Sequence, residues 1–291
     1  MTMFALCLVA LSAVAQQPPQ ALSTKQLKPN IYIVEGAGGN SGVIIGTAGV
    51  IVIDTKTTPD SGKALLAEIA RVTDKPVTHV ILTHSDNDHV GGLAAFPAGL
   101  TIIAQQGDAT EMQAAVKAGG RGAPPRDRLP NHVVTKNREA LTLDGVKFEV
   151  LHWAPAHTSG DLVVYLPAEK VVFTGDIIAT VFPDPLIHLE KNGSSAGWIT
   201  TARGMAALNA TDYVPGHGDV QTKAQIEERV KASEEKRNKV IALVKQGKTL
   251  EEVRAATADV PYTVPGAAPG RGPAFPTFVE VVYKEQTTSP K

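Results

Sequence analysis

One short stretch, Thr83-His84-Ser85-Asp86-Asn87-Asp88-His89-Val90-Gly91-Gly92, collects two imidazoles and two carboxylates within six positions. Imidazole nitrogen and carboxylate oxygen together are donors for zinc, and also for iron or manganese. Without a cation, so dense a group of ligands repels itself. Gly91-Gly92 lets the backbone turn tightly and come close to a bound group. The competing reading is a polar surface loop in which Asp86 or Asp88 caps a short helix around Leu93 to Phe96. Just before the loop, Pro76 to Leu82 is a β-rich apolar run, so the donors begin where a strand ends. Loops at strand ends are where open α/β sheets bind ligands.

Three more segments put a His or Asp after a strand-like run: Pro155-Ala156-His157-Thr158-Ser159-Gly160-Asp161, Phe173-Thr174-Gly175-Asp176, and Val214-Pro215-Gly216-His217-Gly218. With all four motifs in this order, the chain resembles the metallo-β-lactamase superfamily from about Gln26 to its end. The resemblance implies an α/β fold, the four-layer αββα sandwich, and two divalent metal ions, zinc first. It implies His84, Asp86 and His157 around one metal, Asp88, His89 and His217 around the other, and Asp176 bridging the pair. Asp88 is also the catalytic candidate. Two cations about 3.5 Å apart can share one water, lower its pKa and present hydroxide at a carbonyl or phosphoryl centre. No separate Ser or Cys nucleophile is then needed.

The departure is at Asp86. Most hydrolytic members of the family carry histidine there, whereas this chain reads His84-X-Asp86-X-Asp88-His89. The flavodiiron branch has a carboxylate at that place, but it uses glutamate and an attached flavin domain, for which no room is expected here. The extra carboxylate makes the first site harder and more anionic, which brings iron or manganese forward as alternatives to zinc. Asp86→His is expected to raise zinc occupancy.

The first functional expectation is a secreted metal-dependent hydrolase acting on a carbonyl, with β-lactams the substrate to test first. Dedicated β-lactamases of the family usually have cysteine or serine at the Asp176 position, so lactone, ester or thioester hydrolysis is the alternative. Two other classes stay open: a di-iron oxidoreductase, motivated by Asp86, and a metal-binding protein whose first site Asp86 has disabled. His188 sits where the family's loops contact substrate, with a structural role as its alternative.

Stepping outward, Met1 to Ala15 is mostly apolar and ends in Ala13-Val14-Ala15 before a Gln/Pro-rich stretch, which resembles a secretory signal peptide. Residues 16–25 are then expected to be a flexible segment and 26–291 one domain, periplasmic or secreted, with no membrane insertion after cleavage. The only cysteine, Cys7, falls in the leader, so the mature chain has neither disulfide nor thiolate ligand. With 291 residues, 43% hydrophobic and 20% charged, the chain can bury a full core. A formal net charge of -1 and the lack of a Lys/Arg cluster argue against nucleic acid and leave a small-molecule substrate as the expected partner.

The elements that must position the donors follow from periodicity. Ile31 to Val34, Ser41 to Ile45 and Val50 to Ile53 read as an antiparallel meander, followed by a helix over Pro59 to Val72. A strand over Leu100 to Ala104 and a helix over Asp108 to Ala118 continue the alternation. The Gly/Pro/Arg segment 119–130 reads as an exposed loop, linking two halves or attracting an anion. Val133-Val134, Leu141 to Leu143, Val146 to Leu151, Leu162 to Leu166 and Val171 to Phe173 are assigned to a second half, with Asp144-Gly145 as a hairpin turn. Helices are expected over Ala196 to Leu208, Gln221 to Gln246 and just after Lys248, with Tyr213-Val214 the last strand, Pro261 to Pro276 a linker and Phe278 to Tyr283 a final packing element. His79 reads as a packed or hydrogen-bonded core residue and His132 as solvent-exposed. His152 and Trp153 either line the pocket or are structural, Asp54 anchors a loop, and Asp161 bonds the backbone around His157.

Overall fold

The computed structural model describes residues 21–119, 123–262 and 275–288. The leader segment 1–15 lies outside the described residues, as do 120–122 and 263–274 within the two segments read as loop and linker.

The first half begins with β1 (Ser23–Lys28), β2 (Ile31–Glu35), β3 (Ser41–Ile45) and β4 (Val50–Ile53), paired antiparallel in order. Regular structure thus starts at Ser23, inside the stretch expected to be flexible, because β1 pairs along β2 from Ser23↔Glu35 onward. Helix α1 (Pro59–Val72) has its boundaries where the sequence puts them: Thr58 and Ser61 form a reciprocal capping box and proline occupies the first turn. It returns the chain to β5 (Val77–Ile81), which lies parallel to β4. Helix α2 (Asn87–Val90), β6 (Thr101–Gln105), α3 (Gln106–Ala118) and β7 (His132–Val134) follow.

The second half comprises β8 (Arg138–Leu143), β9 (Val146–Leu151), β10 (Val163–Leu166), β11 (Val171–Phe173), α4 (Ser195–Ala206), β12 (Asp212–Val214), β13 (Gln221–Thr222), α5 (Lys223–Lys245), α6 (Leu250–Thr257) and α7 (Phe278–Thr287). Among the described residues the strands form a seven-stranded sheet, β1 to β7 in sequence order, and a six-stranded sheet ordered β13-β12-β11-β10-β9-β8. Val133-Val134 therefore belongs to the first sheet rather than to the second half, pairing parallel to β6. A run that short carries no information about its partner. The two-residue β13 had no detectable pattern in the sequence at all. None of the described helices is long and apolar enough to cross a membrane.

Burial makes the layering explicit. Along β4 every residue is buried, yet successive side chains serve different cores, as alternation across a strand requires. Ile51 and Ile53 join Ile31, Ile81 and Ile103 against Phe148, Val164 and Phe173 of the other sheet. Val50 and Val52 instead join Val80, Leu65, Ile69 and Met112, the apolar faces of α1 and α3. On the far side Trp198, Met205, Ile226, Val240, Val253, Phe278 and Val282 cover the second sheet with α4 to α7. The result is helix, sheet, sheet, helix, an αββα sandwich in which the central strands bury both faces while β1 and β8 keep exposed edges. Burying a large apolar side chain in such layers is worth about 1.5–3 kcal/mol.

Candidate metal centre

The parallel strands β4, β5, β11 and β12 release their C-terminal loops at one end of the two sheets. These loops carry Asp54, His84 to His89, Asp176 and His217, and the β9–β10 loop adds His157. All seven residues expected from the sequence as ligands converge there. His84, Asp86 and His157 form one group, Asp88, His89 and His217 a second, and His84, His89 and Asp176 a third that joins them; within each group the donor atoms lie within 4.8 Å of one another.

A buried hydrogen-bond chain sets the direction of the imidazoles. The Thr83 amide and hydroxyl donate to the two oxygens of Asp54 at 2.8 and 2.6 Å. The His89 Nδ1–H donates to the same carboxylate at 2.7 Å, and His84 Nδ1 donates to Thr83 Oγ1 at 3.0 Å. His157 Nδ1 donates to the Leu186 carbonyl at 2.9 Å. Each ring therefore spends Nδ1 on a hydrogen bond to its support and turns Nε2 toward the centre, the orientation of a metal-binding histidine. Asp54, expected as a loop anchor, holds two rings at once.

The donors fit a cation. His89 Nε2 lies 3.4 Å from His217 Nε2 and 3.3 Å from Asp176 Oδ1. His84 Nε2 and Asp176 Oδ1 are buried with no hydrogen-bond partner, a costly condition that a metal would relieve. Charge balance points the same way. Burial pushes the His157 imidazole down, but the hydrogen-bonded carboxylate of Asp86 and the charges of Asp176 and Asp161 outweigh it and raise the pKa to about 9. Burial likewise opposes protonation of His89, and Asp176, Asp54 and Asp88 overcome it, holding the ring well above the usual histidine range. Asp176, which burial alone would push up, is held well below the usual carboxylate range by His217, His89 and His84. The centre is built to accept positive charge.

Backbone contacts bring the loops this close. A Cβ on Gly216 would overlap Asp176 Oδ1, and one on Gly39 would overlap the His89 ring, so only glycine admits these approaches. Asn40 ties the two loops together, donating from Nδ2 to the carbonyls of Pro215 and Gly218 at 3.0 and 2.9 Å. Asp161 accepts from the amides of Ala156 and Thr158 and from the Thr158 hydroxyl, fixing the turn that carries His157 as expected.

Other sequence readings resolve individually. Asp86 does stand at the N-cap position of α2, but its side chain makes no capping bond and turns into the centre instead. His79 is half-buried against Thr78 and Asp144, away from the centre. His132, expected to be exposed, is half-buried and pairs with Glu139 at 2.7 Å, since it falls within a strand. His152 Nδ1 donates to the Asp161 carbonyl, and Trp153 packs against Gly204 of α4, so both are structural. Arg128 of the arginine-rich loop donates to the Phe96 carbonyl and pins that loop down. Nothing in a lone lysine of the sequence signals that Lys191 Nζ lies 2.5 Å from Asp86 Oδ1 and 3.0 Å from Ser85 Oγ.

Above the donors opens a cavity of about 440 Å³, lined by Asp86, Asp88, Asp176, His188 and His217 on its floor and by Val181, Phe182, Leu186 and Phe275 on its wall. Residues 34–217, more than half of the chain, match the sequence profile of the metallo-beta-lactamase superfamily. The chain belongs to that superfamily. It is 29% identical over 203 residues to 2,4-dinitroanisole O-demethylase subunit alpha of a Nocardioides species, a match covering 68% of this chain and 58% of that relative. It is 27% identical over 183 residues to the type 2 metallo-beta-lactamase of Elizabethkingia meningoseptica, covering 60% and 69%. Its fold matches the stereoselective inverting sec-alkylsulfatase of a Pseudomonas species with a TM-score of 0.68 at 17% identity, over 92% of this chain and 51% of that one. The chain thus spans about half to two thirds of the length of most of these proteins.

Proposed function

We propose that this protein is a metal-dependent hydrolase that attacks the carbonyl of a small substrate, a lactam, lactone or ester. The observation that carries the proposal is the convergence of seven donors at an open cavity that Asp86, Asp88, Asp176 and His217 line, with two buried donor atoms left unpartnered. Superfamily members are mainly metallo-hydrolases, and the match to residues 34–217 spans all seven donors.

The residues divide the work. His84, Asp86 and His157 would hold one ion, Asp88, His89 and His217 the other, with Asp176 between. Two ions held there would supply Lewis acidity at the carbonyl oxygen and acidify a water beside it. The chain provides the rest: Asp54 keeps His84 and His89 in one tautomer, and Asp88, the most exposed of the carboxylates at 37%, borders the cavity where it can orient a substrate or take up a proton. The apolar wall of Val181, Phe182, Leu186 and Phe275 favours a substrate carrying a hydrocarbon or aromatic group. Export from the cytoplasm belongs to the same proposal and rests on residues 1–15.

β-Lactams remain the first substrate to test because a β-lactamase is among the relatives and the match covers 69% of that relative's own length. Asp176 keeps lactones, esters and thioesters beside them. The test is turnover of a chromogenic cephalosporin, a nitrophenyl ester and an acyl lactone by metal-loaded protein. Hydrolysis of any one, abolished by a chelator, supports the reading; a fully loaded protein inert towards all three overturns it. Asp86 supports one second reading, a di-iron centre, which iron retained in preference to zinc and oxygen-dependent turnover would bring forward.

A further inference from the structure

The structure assigns His188 to the first metal position as a fourth donor, one that takes over from the imidazole missing at position 86. The inference rests on the two-metal reading above. Three Nε2 atoms surround a single oxygen, Asp86 Oδ2: His157 at 3.1 Å, His188 at 3.4 Å and His84 at 3.6 Å. The other oxygen of Asp86 is held by Lys191 Nζ at 2.5 Å, so the carboxylate cannot turn away from the three rings.

His188 has the setting of a ligand rather than of a chance neighbour. Its Nδ1 is hydrogen-bonded to the Glu190 carboxylate, which orients the ring so that Nε2 faces Asp86. Its amide donates to the His157 carbonyl at 2.8 Å, and its own carbonyl accepts from the amides of Lys191 and Gly193 at 3.0 and 2.9 Å. The two rings meet edge to face at 4.8 Å, and the Phe275 ring closes on the far side of His188 at 5.3 Å. Three imidazole Nε2 atoms thus converge on one anionic oxygen at the edge of the cavity, and a cation binding there in place of their protons would find all four as donors. An aspartate at position 86 is shorter than a histidine and leaves room that His188 fills. The resulting set, three nitrogens with the Asp86 oxygen and Asp176 between the two positions, suits zinc and offsets the hardening expected from Asp86 alone. The Asp88 side of the centre, with its exposed carboxylate, is then where substrate has space.

The test is cobalt binding to full-length protein, read by electronic absorption and by metal retained after dialysis against a weak chelator. Wild type should keep two equivalents. His188→Ala should keep one, with affinity at the first position at least about tenfold lower and the visible bands changed. Glu190→Gln, an exposed change with no risk to folding, should weaken the same position by a smaller factor. Two equivalents held with unchanged affinity and spectrum in both variants would overturn the assignment. Failure of the two-metal reading itself would appear separately, as fewer than two equivalents in wild type, and would take this assignment with it.

Discussion

Asp54 Oδ2 lies 2.7 Å from Nδ1 of His89, so a carboxylate that faces away from the cavity decides which nitrogen of His89 faces into it. Through the Thr83 hydroxyl the same oxygen also sets His84. Asp54→Ala should therefore lower metal affinity by about 10–100-fold without touching a ligand. It should also cost on the order of 3 kcal/mol, because buried donors on His89 and Thr83 lose their acceptor. Chelator competition and urea denaturation measure the two effects; wild-type metal affinity in this variant would refute the orienting role.

Gly216 permits the Asp176 side chain to lie against the backbone of the loop before His217. Gly216→Ala should displace one of them, at about 1–3 kcal/mol of stability. Since Asp176 stands between the two groups of donors, metal content should fall at both positions. Elemental analysis of the purified variant checks this, and full occupancy would contradict it.

Trp198 of α4 is fully buried and its Nε1 donates to the Ile177 carbonyl at 2.7 Å, one residue from Asp176. Trp198→Phe retains an aromatic ring but orphans that carbonyl, which should cost about 1–3 kcal/mol. Denaturation midpoints and metal affinity should fall together, linking the outer helical layer to the centre.

His157 carries a pH dependence. Its pKa in the metal-free fold is about 9, above the unfolded value of about 6.5. The protonated ring then stabilises the metal-free protein fully below pH 6.5, by on the order of 3 kcal/mol, and the contribution disappears as pH rises through 9. Metal requires the bare nitrogen, so binding at pH 7.5 should release protons and tighten as pH rises toward 9. Calorimetry in buffers of different ionisation heat reads the proton count. Binding without proton release would contradict the charge balance described for the centre.

Much of this was legible in the sequence because ligand chemistry and periodicity are local. The α1 boundaries follow from the apolar periodicity and from Pro59 at its start, and the seven donors from four short motifs, each after a strand. What escaped depended on contacts between distant segments. β7 joined the first sheet through a pairing that its three residues could not announce. Lys191 reaches Asp86 across 105 positions, and His188 meets it across a similar gap. A lone lysine or histidine looks the same in sequence whether it ends in solvent or against a buried carboxylate.

The central claim, metal-dependent hydrolysis at this centre, is tested most directly by following one substrate through removal and return of metal. Protein stripped by a chelator should lose turnover while staying folded by circular dichroism, and should regain it when a divalent metal is restored. His89→Ala should stay inactive through the same cycle. Turnover that survives complete removal of metal, or that persists in His89→Ala, would contradict the account.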